Sequence, residues 1–545
     1  MKNFLIKILI GACCLPSFCG CSLEEENIRS PYADMYYKTI EGAEDLINSC
    51  YSYTRQFYGR PVGFIMQTLG TDLWQLGGDS DSGVSSLALY NPCVPSDLQF
   101  WSTWNNFYLG ITACNTFLDR KDDIENISQE QLDNLTGQAL FMRALYYHIL
   151  VMHFGDIPLQ LHEVTEVQTT AIRTPEKEVY AQIVADLLEA EKLLPVTQNE
   201  YGRATKPAAQ ALLARVYLWT GQYGEASTYA KKLINDYDFK LLDDYADLWD
   251  IKNEQNAEVI WAIVYTTDSK LNGSGNDIQP YFTVRYDNNI PGMKRSIEYG
   301  RPYRNYMPTR YLLDLNTENS WWDSRFEKSF RTVWYANNEQ NLLPDQQIGD
   351  TALWIPPYAV PESVKEAKKN KYTIKDINSY FNESKPDETV GARELYPQLI
   401  KYNDPTRATV SMTNGANDFV VFRLAEMYLI AAEALMQEGR KDEGVDYINE
   451  VRKRAARPGK ELAALLTPDQ LTIDAILEER ALELTAEYVG RWIDLKRTGK
   501  LIERVRKYNP DARPNIQEKH LLRPIPSNMM DRVSNKDEFK QNPEY

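Results

Sequence analysis

The reading of this chain turns on one stretch: Lys206-Pro207-Ala208-Ala209-Gln210-Ala211-Leu212-Leu213-Ala214-Arg215-Val216-Tyr217-Leu218-Trp219-Thr220-Gly221-Gln222-Tyr223-Gly224-Glu225-Ala226. Pro207 opens a helix, because a proline in the first turn gives up no intrahelical hydrogen bond. Ala211, Leu212, Arg215, Tyr217 and Leu218 carry the helix to Gly221, a residue suited to the left-handed position just past a helix end. A second helix starts at once, with Ala226, Tyr229, Ala230 and Leu233 along it. Glycine allows the tight corner, and the small Ala226 lets the two helices approach closely.

Such a corner is that of a tetratricopeptide-type helix pair. A weaker copy spans 425–451, with Gly439-Arg440-Lys441-Asp442-Glu443-Gly444 at the corner and Gly444 where alanine is expected. Two further pairs are expected, 39–57 with 101–118 and 131–153 with 176–194. Thr174-Pro175 places an N-cap before a proline at the first helical position of 176–194. The predicted fold is therefore mainly α: about four degenerate tetratricopeptide-type pairs forming a superhelical scaffold. Helical zones at 36–237 and 419–506 flank a zone at 254–405 where the helical period fades and Gly, Pro, Asn and aromatics dominate. We read 36–545 as one domain with a large irregular, aromatic-rich insertion. Repeats of this kind usually bind or scaffold.

The first residues have a different character. Lys2 and Lys7 precede an apolar core from Ile8 to Leu15, and Gly20-Cys21 is followed by Ser22-Leu23-Glu24-Glu25-Glu26. This is a secretory signal, too short to span a bilayer. A cysteine at such a junction, followed by a polar run, resembles a bacterial lipoprotein with Cys21 as the acylated residue. Residues 1–20 are then the removed signal, and 21–35 the lipidated cysteine and acidic tether. Phe18-Cys19-Gly20 departs from the usual small residue two places before the cysteine. Ile10-Gly11-Ala12 before Cys13 fits that pattern better, but leaves almost no apolar core after Lys7. An ordinary cleaved signal is the alternative.

Composition narrows the function classes. Residues 1–20 carry two lysines and no acid, so their removal takes the formal charge from −17 to −19. That excess repels phosphate backbones, and nucleic acid is not an expected partner. Cys50, Cys93 and Cys114 remain after Cys13, Cys14 and Cys19 leave with the signal; they form no disulfide framework and no metal or redox pair. No later run approaches the length of a membrane span.

A family resemblance rests on motifs in order. They begin with Phe141-Met142-Arg143-Ala144-Leu145-Tyr146-Tyr147 and Phe154-Gly155-Asp156-Ile157-Pro158-Leu159. The 208–218 run follows, then Arg423-Leu424-Ala425-Glu426-Met427-Tyr428-Leu429-Ile430-Ala431-Ala432-Glu433-Ala434. After these come Glu479-Arg480, Glu483-Leu484, Glu487, Arg491-Trp492-Ile493-Asp494-Leu495-Lys496-Arg497, Arg523-Pro524-Ile525-Pro526 and the terminal Gln541-Asn542-Pro543-Glu544-Tyr545. Together they resemble the SusD/RagB family of surface nutrient-binding lipoproteins, with the 254–405 zone matching least. The resemblance implies a cell-surface, outer-membrane, lipid-anchored protein that is not an enzyme. It would capture oligosaccharide and pass it to a SusC-like TonB-dependent barrel. A RagB-like peptide- or protein-binding scaffold and a secreted glycoside hydrolase are the alternatives.

Each motif also has a plainer reading. Glu479, Arg480, Glu483, Glu487, Arg491 and Asp494 sit at three- and four-residue spacings, most simply an ion-pair lattice along helices. The Phe141–Tyr147 stripe reads as core, with Arg143 bonded to carbonyls or a carboxylate. His148, His153, His162 and His520 show no zinc spacing, so no metal and no cofactor are expected. Asp79-Ser80-Asp81-Ser82-Gly83 resembles the start of a calcium loop, but Tyr90 stands where the bidentate Glu belongs.

What remains is aromatic surface. Sugars present apolar C–H faces edged by hydroxyls, so a site needs flat rings with Asn, Asp and Arg beside them. The candidates are Trp74, Asp79, Tyr90, Asn91, Tyr281, Arg285, Tyr286, Asn288, Tyr299, Trp321 and Trp334. Tyr303, Arg301 and Tyr335 lie in the same dense segment. Trp74, Tyr281, Tyr286 and Trp334 lead, because Gly, Asn or Asp neighbours suggest exposed loops. Trp322, in Trp322-Asp323-Ser324-Arg325-Phe326, reads as structural.

Overall fold

The structure is a computed structural model. It describes residues 33–78, 82–382, 384–385, 388–390 and 393–545, with only the backbone at 33, 82 and 83. Cys21, the signal, the tether's first residues and Asp79-Ser80-Asp81 lie outside the described residues.

The principal helices are α1 (Ile40–Ser52), α2 (Leu98–Arg120), α3 (Gln129–Phe154), α4 (Glu176–Leu193), α5 (Lys206–Trp219), α6 (Tyr223–Asn235), α7 (Arg310–Asn319), α8 (Leu424–Gln437), α9 (Lys441–Ala455), α10 (Ile473–Glu483), α11 (Arg491–Arg497) and α12 (Leu501–Tyr508). The strands are short: β1 (Trp74–Leu76), β2 (Val259–Ile263), β3 (Tyr306–Pro308), β4 (Phe330–Arg331), β5 (Val333–Tyr335), β6 (Thr351–Trp354), β7 (Thr373–Ile374), β8 (Gln398–Leu399) and β9 (Phe419–Arg423).

The expected helix pairs form: α1 packs on α2, α3 on α4, α5 on α6 and α8 on α9. Each pair also packs on the next, α2 on α3 and α4 on α5. Helix α6 meets α8 across the whole insertion. Two corners share one geometry. Gly221 has φ +74° and Gly439 φ +78°. In each the glycine N–H bonds to the carbonyl three residues back, and the next N–H reaches five back: Gln222 to Tyr217 at 2.9 Å, Arg440 to Leu435 at 2.8 Å. That double bond satisfies the carbonyls a helix end leaves free. Thr205 caps α5 by accepting the Ala208 N–H. At α4 the cap is Pro175 rather than Thr174, whose N–H and carbonyl pair with Ile157 as a bridge.

Helix α3 is buried on every side from Gly137 onward, so it is a core element and not an amphipathic surface helix. Arg143 sits inside that core. It donates to both Asp186 oxygens at 2.8 Å and to Asn115 at 2.9 Å, as a buried charge requires. The ends of the insertion meet as an antiparallel pair, β2 with β9. Residues 264–418 therefore leave and re-enter the helical body at one place. The insertion has its own core, in which Val284, Met307, Leu313, Leu353 and Phe381 are buried.

The carboxylates of 479–494 correct the expectation of a lattice along helices: they are buried and tie distant segments together. Arg325 bonds Asp323, Glu479 and Glu483; Arg423 bonds Glu258, Glu483 and Glu487. Arg452 reaches Glu479, Arg454 reaches Glu258 and Glu483, and Lys401 reaches Glu487 at 2.8 Å. Five cations thus face five carboxylates. Burial pushes Glu483 and Glu487 up, but the surrounding guanidiniums outweigh it and hold both below the usual carboxylate range. Arg480 and Arg497 similarly hold Asp494, and Arg491 and Arg504 hold Asp72. Helical spacing is shared by surface lattices and buried networks, so the sequence pattern could not tell them apart.

Candidate functional site

The segment around Trp74 and the 281–337 segment do meet. Strand β1 pairs antiparallel with β3, Trp74 opposite Pro308 and Leu76 opposite Tyr306. Past the strand ends the pairing continues: the Gly77 N–H bonds to the Asn305 carbonyl at 2.7 Å and the Gly78 N–H to Arg304 at 2.8 Å. Gly77 has to be glycine, since a Cβ there would lie 1.9 Å from the Arg304 oxygen. On its other edge, 303–305 is pinned to 280–283: Tyr303 N–H to Pro280, Arg304 to Thr283 and Asn305 to Tyr281, all at 2.8–2.9 Å.

This junction turns several predicted rings inward, and their assignment to ligand is corrected. Trp74 is fully buried, packed on Phe64 at 5.6 Å, Phe282 at 5.1 Å and Phe330 at 6.2 Å. Tyr286 is fully buried and donates to the Gly300 carbonyl at 2.8 Å. Tyr299 is buried beneath Arg331, its oxygen accepting the Tyr335 N–H at 3.0 Å. Trp334 is buried in the insertion's core. Tyr90 is buried against Arg523 and His520 of the C-terminal segment, not against the insertion. Gly, Asn and Asp neighbours suggested exposure, but Trp74 and Trp334 lie in paired strands whose inward faces are packed.

Other candidates remain accessible. Tyr281 and Tyr303 are half-buried and meet edge to face, 5.3 Å apart with planes at 87°. Arg301 lies over the Tyr303 ring at 5.3 Å and donates to the Ser411 carbonyl at 2.9 Å. Arg285 pairs with Glu394 at 3.0 Å, and Arg304 approaches the same carboxylate at 3.9 Å. Asn288 is exposed beside the Asp287–Arg295 pair. Together these form a shelf: a two-tyrosine corner, guanidiniums and a carboxylate on a backbone fixed along both edges. Through Tyr299 the shelf connects to Arg331 and to Tyr335, which is 51 % exposed. Asn91 is exposed next to the buried Tyr90. Trp321 is exposed beside Lys460. Asp79 lies outside the described residues.

Sequence reasoning missed Trp354 and Tyr358, an edge-to-face pair at 6.3 Å. Strand β5 pairs with β6, so Trp334 and Leu353 face the core together while Val333, Trp354 and Tyr335 face outward. Strand alternation allows only one of two adjacent rings outside, and that is the signal that was there to use. Two clefts lie elsewhere. One of about 860 Å³ includes Tyr51, Arg55, Tyr201, Arg203 and Asn272 in its lining; one of about 650 Å³ includes Arg310, Tyr311, Glu478 and Tyr508. Among the described residues no group of three His, Cys, Asp or Glu could hold a metal ion, and no helix is long and apolar enough to cross a membrane.

Comparison with known proteins decides the family. Residues 257–545 match the SusD family. The chain belongs to it. Residues 36–218 also match a family described as starch-binding and associating with the outer membrane. The SusD-like protein P2 of Formosa agariphila is 27 % identical over the full length of both chains. The starch-binding protein SusD of Bacteroides thetaiotaomicron is 26 % identical over 63 % of this chain and 61 % of its own. Among solved structures, a laminarin-binding SusD-like protein superposes with a TM-score of 0.71 at 24 % identity, covering 93 % of this chain and all of its own. Surface glycan-binding protein A of Bacteroides thetaiotaomicron, solved with laminarihexaose, gives 0.68 at 20 % identity, covering 92 % of this chain and 99 % of its own. These two share the mainly helical SusD fold with the present chain.

Proposed function

We propose that this SusD-family chain is a carbohydrate-binding protein, not an enzyme, and that it holds oligosaccharide on the Tyr281–Tyr303 shelf. The observation that carries the reading is the pinned 303–305 segment. With 280–283 it holds the Tyr281 and Tyr303 rings at right angles, Tyr281 backed on one face by the buried Tyr306, with Arg301, Arg285 and Glu394 beside them. A sugar's C–H face stacks on one ring while its hydroxyls take charge-assisted hydrogen bonds from the guanidiniums and give one to the carboxylate. Rigid backbone on both edges lowers the ordering cost of binding. Family membership and the glycan-binding names of its relatives support the ligand class.

The deciding experiment is calorimetry with a panel of starch- and laminarin-derived oligosaccharides, followed by Tyr303→Ala and Arg301→Ala. Loss of sugar affinity in folded variants supports the shelf. Binding of a peptide library with no sugar binding would favour the peptide scaffold; cleavage of the sugars would favour a hydrolase.

In the same reading Cys21 is acylated, the protein is held at the outer membrane facing outward, and it delivers sugar to a SusC-like TonB-dependent barrel. Cys21→Ala should release the protein from the membrane fraction. Mild-detergent purification should recover the barrel with it, and repeated recovery of the protein alone counts against that partnership.

A further inference from the structure

Arg523 is fully buried at the start of the C-terminal segment. Its backbone is fixed: its N–H bonds to the His153 carbonyl at the end of α3 at 2.7 Å, and its carbonyl accepts from Asn542 at 2.8 Å. The guanidinium lies over Trp492 at 4.4 Å and near the Tyr90 ring at 5.7 Å. One nitrogen donates to the Met66 carbonyl at 3.3 Å. Nε and Nη1 are buried and donate to nothing, and beside them the Trp492 Nε1 lies toward the Tyr90 oxygen.

The charge balance here differs from that of the principal buried ion-pair networks. Arg143, Arg325 and Arg423 are each matched by carboxylates. No ion pair with a carboxylate is found for Arg523 among the described residues. Asp97 feels the charge of Arg523 from beyond ion-pair distance, and its Oδ2 accepts from Ser86 at 2.7 Å and the Val94 N–H at 3.0 Å. Asp72 is taken by Arg491 and Arg504. A second cation, Lys496, lies 5.3 Å from the same Trp492 ring and bonds the Met152 carbonyl at 2.7 Å. Burial pulls its ammonium down to about 8; Glu176 opposes this and Arg523 adds to it. Two cations thus flank one ring without a paired acid, where an unneutralised buried charge costs several kcal/mol.

We propose that this cluster holds a small monovalent anion of chloride size, accepting from Nε and Nη1 of Arg523. The Tyr90 hydroxyl, whose oxygen the Trp492 N–H faces, is the neighbouring donor. The unpaired nitrogens of Arg523 are all donors, so the missing partner is an acceptor. An anion supplies that and the missing charge, whereas a water supplies only the first. Held there, the ion fastens the 523–545 segment onto α3.

The test is thermal unfolding of the purified protein in sodium chloride or bromide against sodium gluconate, at constant ionic strength. A bound anion should raise Tm with the logarithm of its concentration above Kd, by about 2 °C at a hundredfold excess over its Kd. Arg523→Met should abolish the response. Bromide-soaked crystals of the unsubstituted protein should show an anomalous peak within hydrogen-bond distance of Arg523, which decides the matter even if the variant does not fold. A halide-independent Tm together with no peak at Arg523 would overturn the proposal in favour of water, and would leave the glycan reading untouched.

Discussion

Replacing Arg423 by methionine removes the central cation of the buried network. Arg423 makes five hydrogen bonds: two to Glu487 at 2.7 and 2.9 Å, one to Glu258 at 2.8 Å, one to the Glu483 carboxylate at 2.6 Å and one to its carbonyl at 2.9 Å. Without it, four cations face five carboxylates in a site closed to solvent. Removing one partner of a buried ion pair costs about 3–5 kcal/mol. For 545 residues, an unfolding entropy of about 2.1 cal/mol/K per residue makes roughly 1 kcal/mol equivalent to one degree, so Tm should fall by about 3–5 °C. The pH dependence follows from the sign of the shifts. Glu483 and Glu487 are held below their unfolded values. Their contribution is therefore present above about pH 4.3 and is lost as pH falls below it. The gap between wild type and variant should be full at pH 7 and narrow below about pH 4. Adding Glu487→Gln restores the balance of charge, so the double variant should lose less than the sum of the singles. The assay is denaturant unfolding of all four proteins at pH 7, repeated across acid pH. A loss under about 1 kcal/mol for Arg423→Met, or strict additivity, would refute the view that these charges compensate one another.

Trp74→Ala and Tyr303→Ala should separate fold from site. The first empties a packed core position and should cost about 3–5 kcal/mol of stability, seen by urea unfolding. The second should leave stability nearly unchanged and weaken sugar binding by about 1–3 kcal/mol, seen by calorimetry. Gly444→Ala would set a Cβ 2.9 Å from the Ala432 oxygen, forcing α8 and α9 apart; a loss of about 1–3 kcal/mol in unfolding free energy is expected. Burial lowers His148 to about 3 and His520 to about 3. Each is therefore neutral in the fold but charged in the unfolded chain below about pH 6.5. Stability should fall as pH drops from there toward 3, by up to about 1.4 kcal/mol per unit per histidine; His148→Phe should flatten that slope in urea titrations.

The helical scaffold was legible because its determinants are local. Gly221 and Gly439 sit where only a left-handed residue closes the turn, Pro207 marks a helix start, and the pattern of 425–451 is a weaker copy of that of 207–233. Local chemistry writes such features into a few neighbouring residues. The four pairs consequently formed where the sequence put them, and α3 carried the apolar stripe expected of Phe141–Tyr147. The sequence also showed that the segments around Trp74 and 281–337 were rich in rings. Which rings face solvent is a different kind of fact. Trp74 is buried because Phe282 and Phe330 arrive from distant segments to join the nearby Phe64. Tyr303 stays accessible because Gly77 lets one strand approach closely and 280–283 pins the other edge. The fate of Glu483 depends on Arg325, Arg423 and Arg454, up to 158 positions away. Helical spacing and ring content are properties of short windows. Burial and charge neutralisation are properties of the whole packed chain, and only the tertiary structure could assign them.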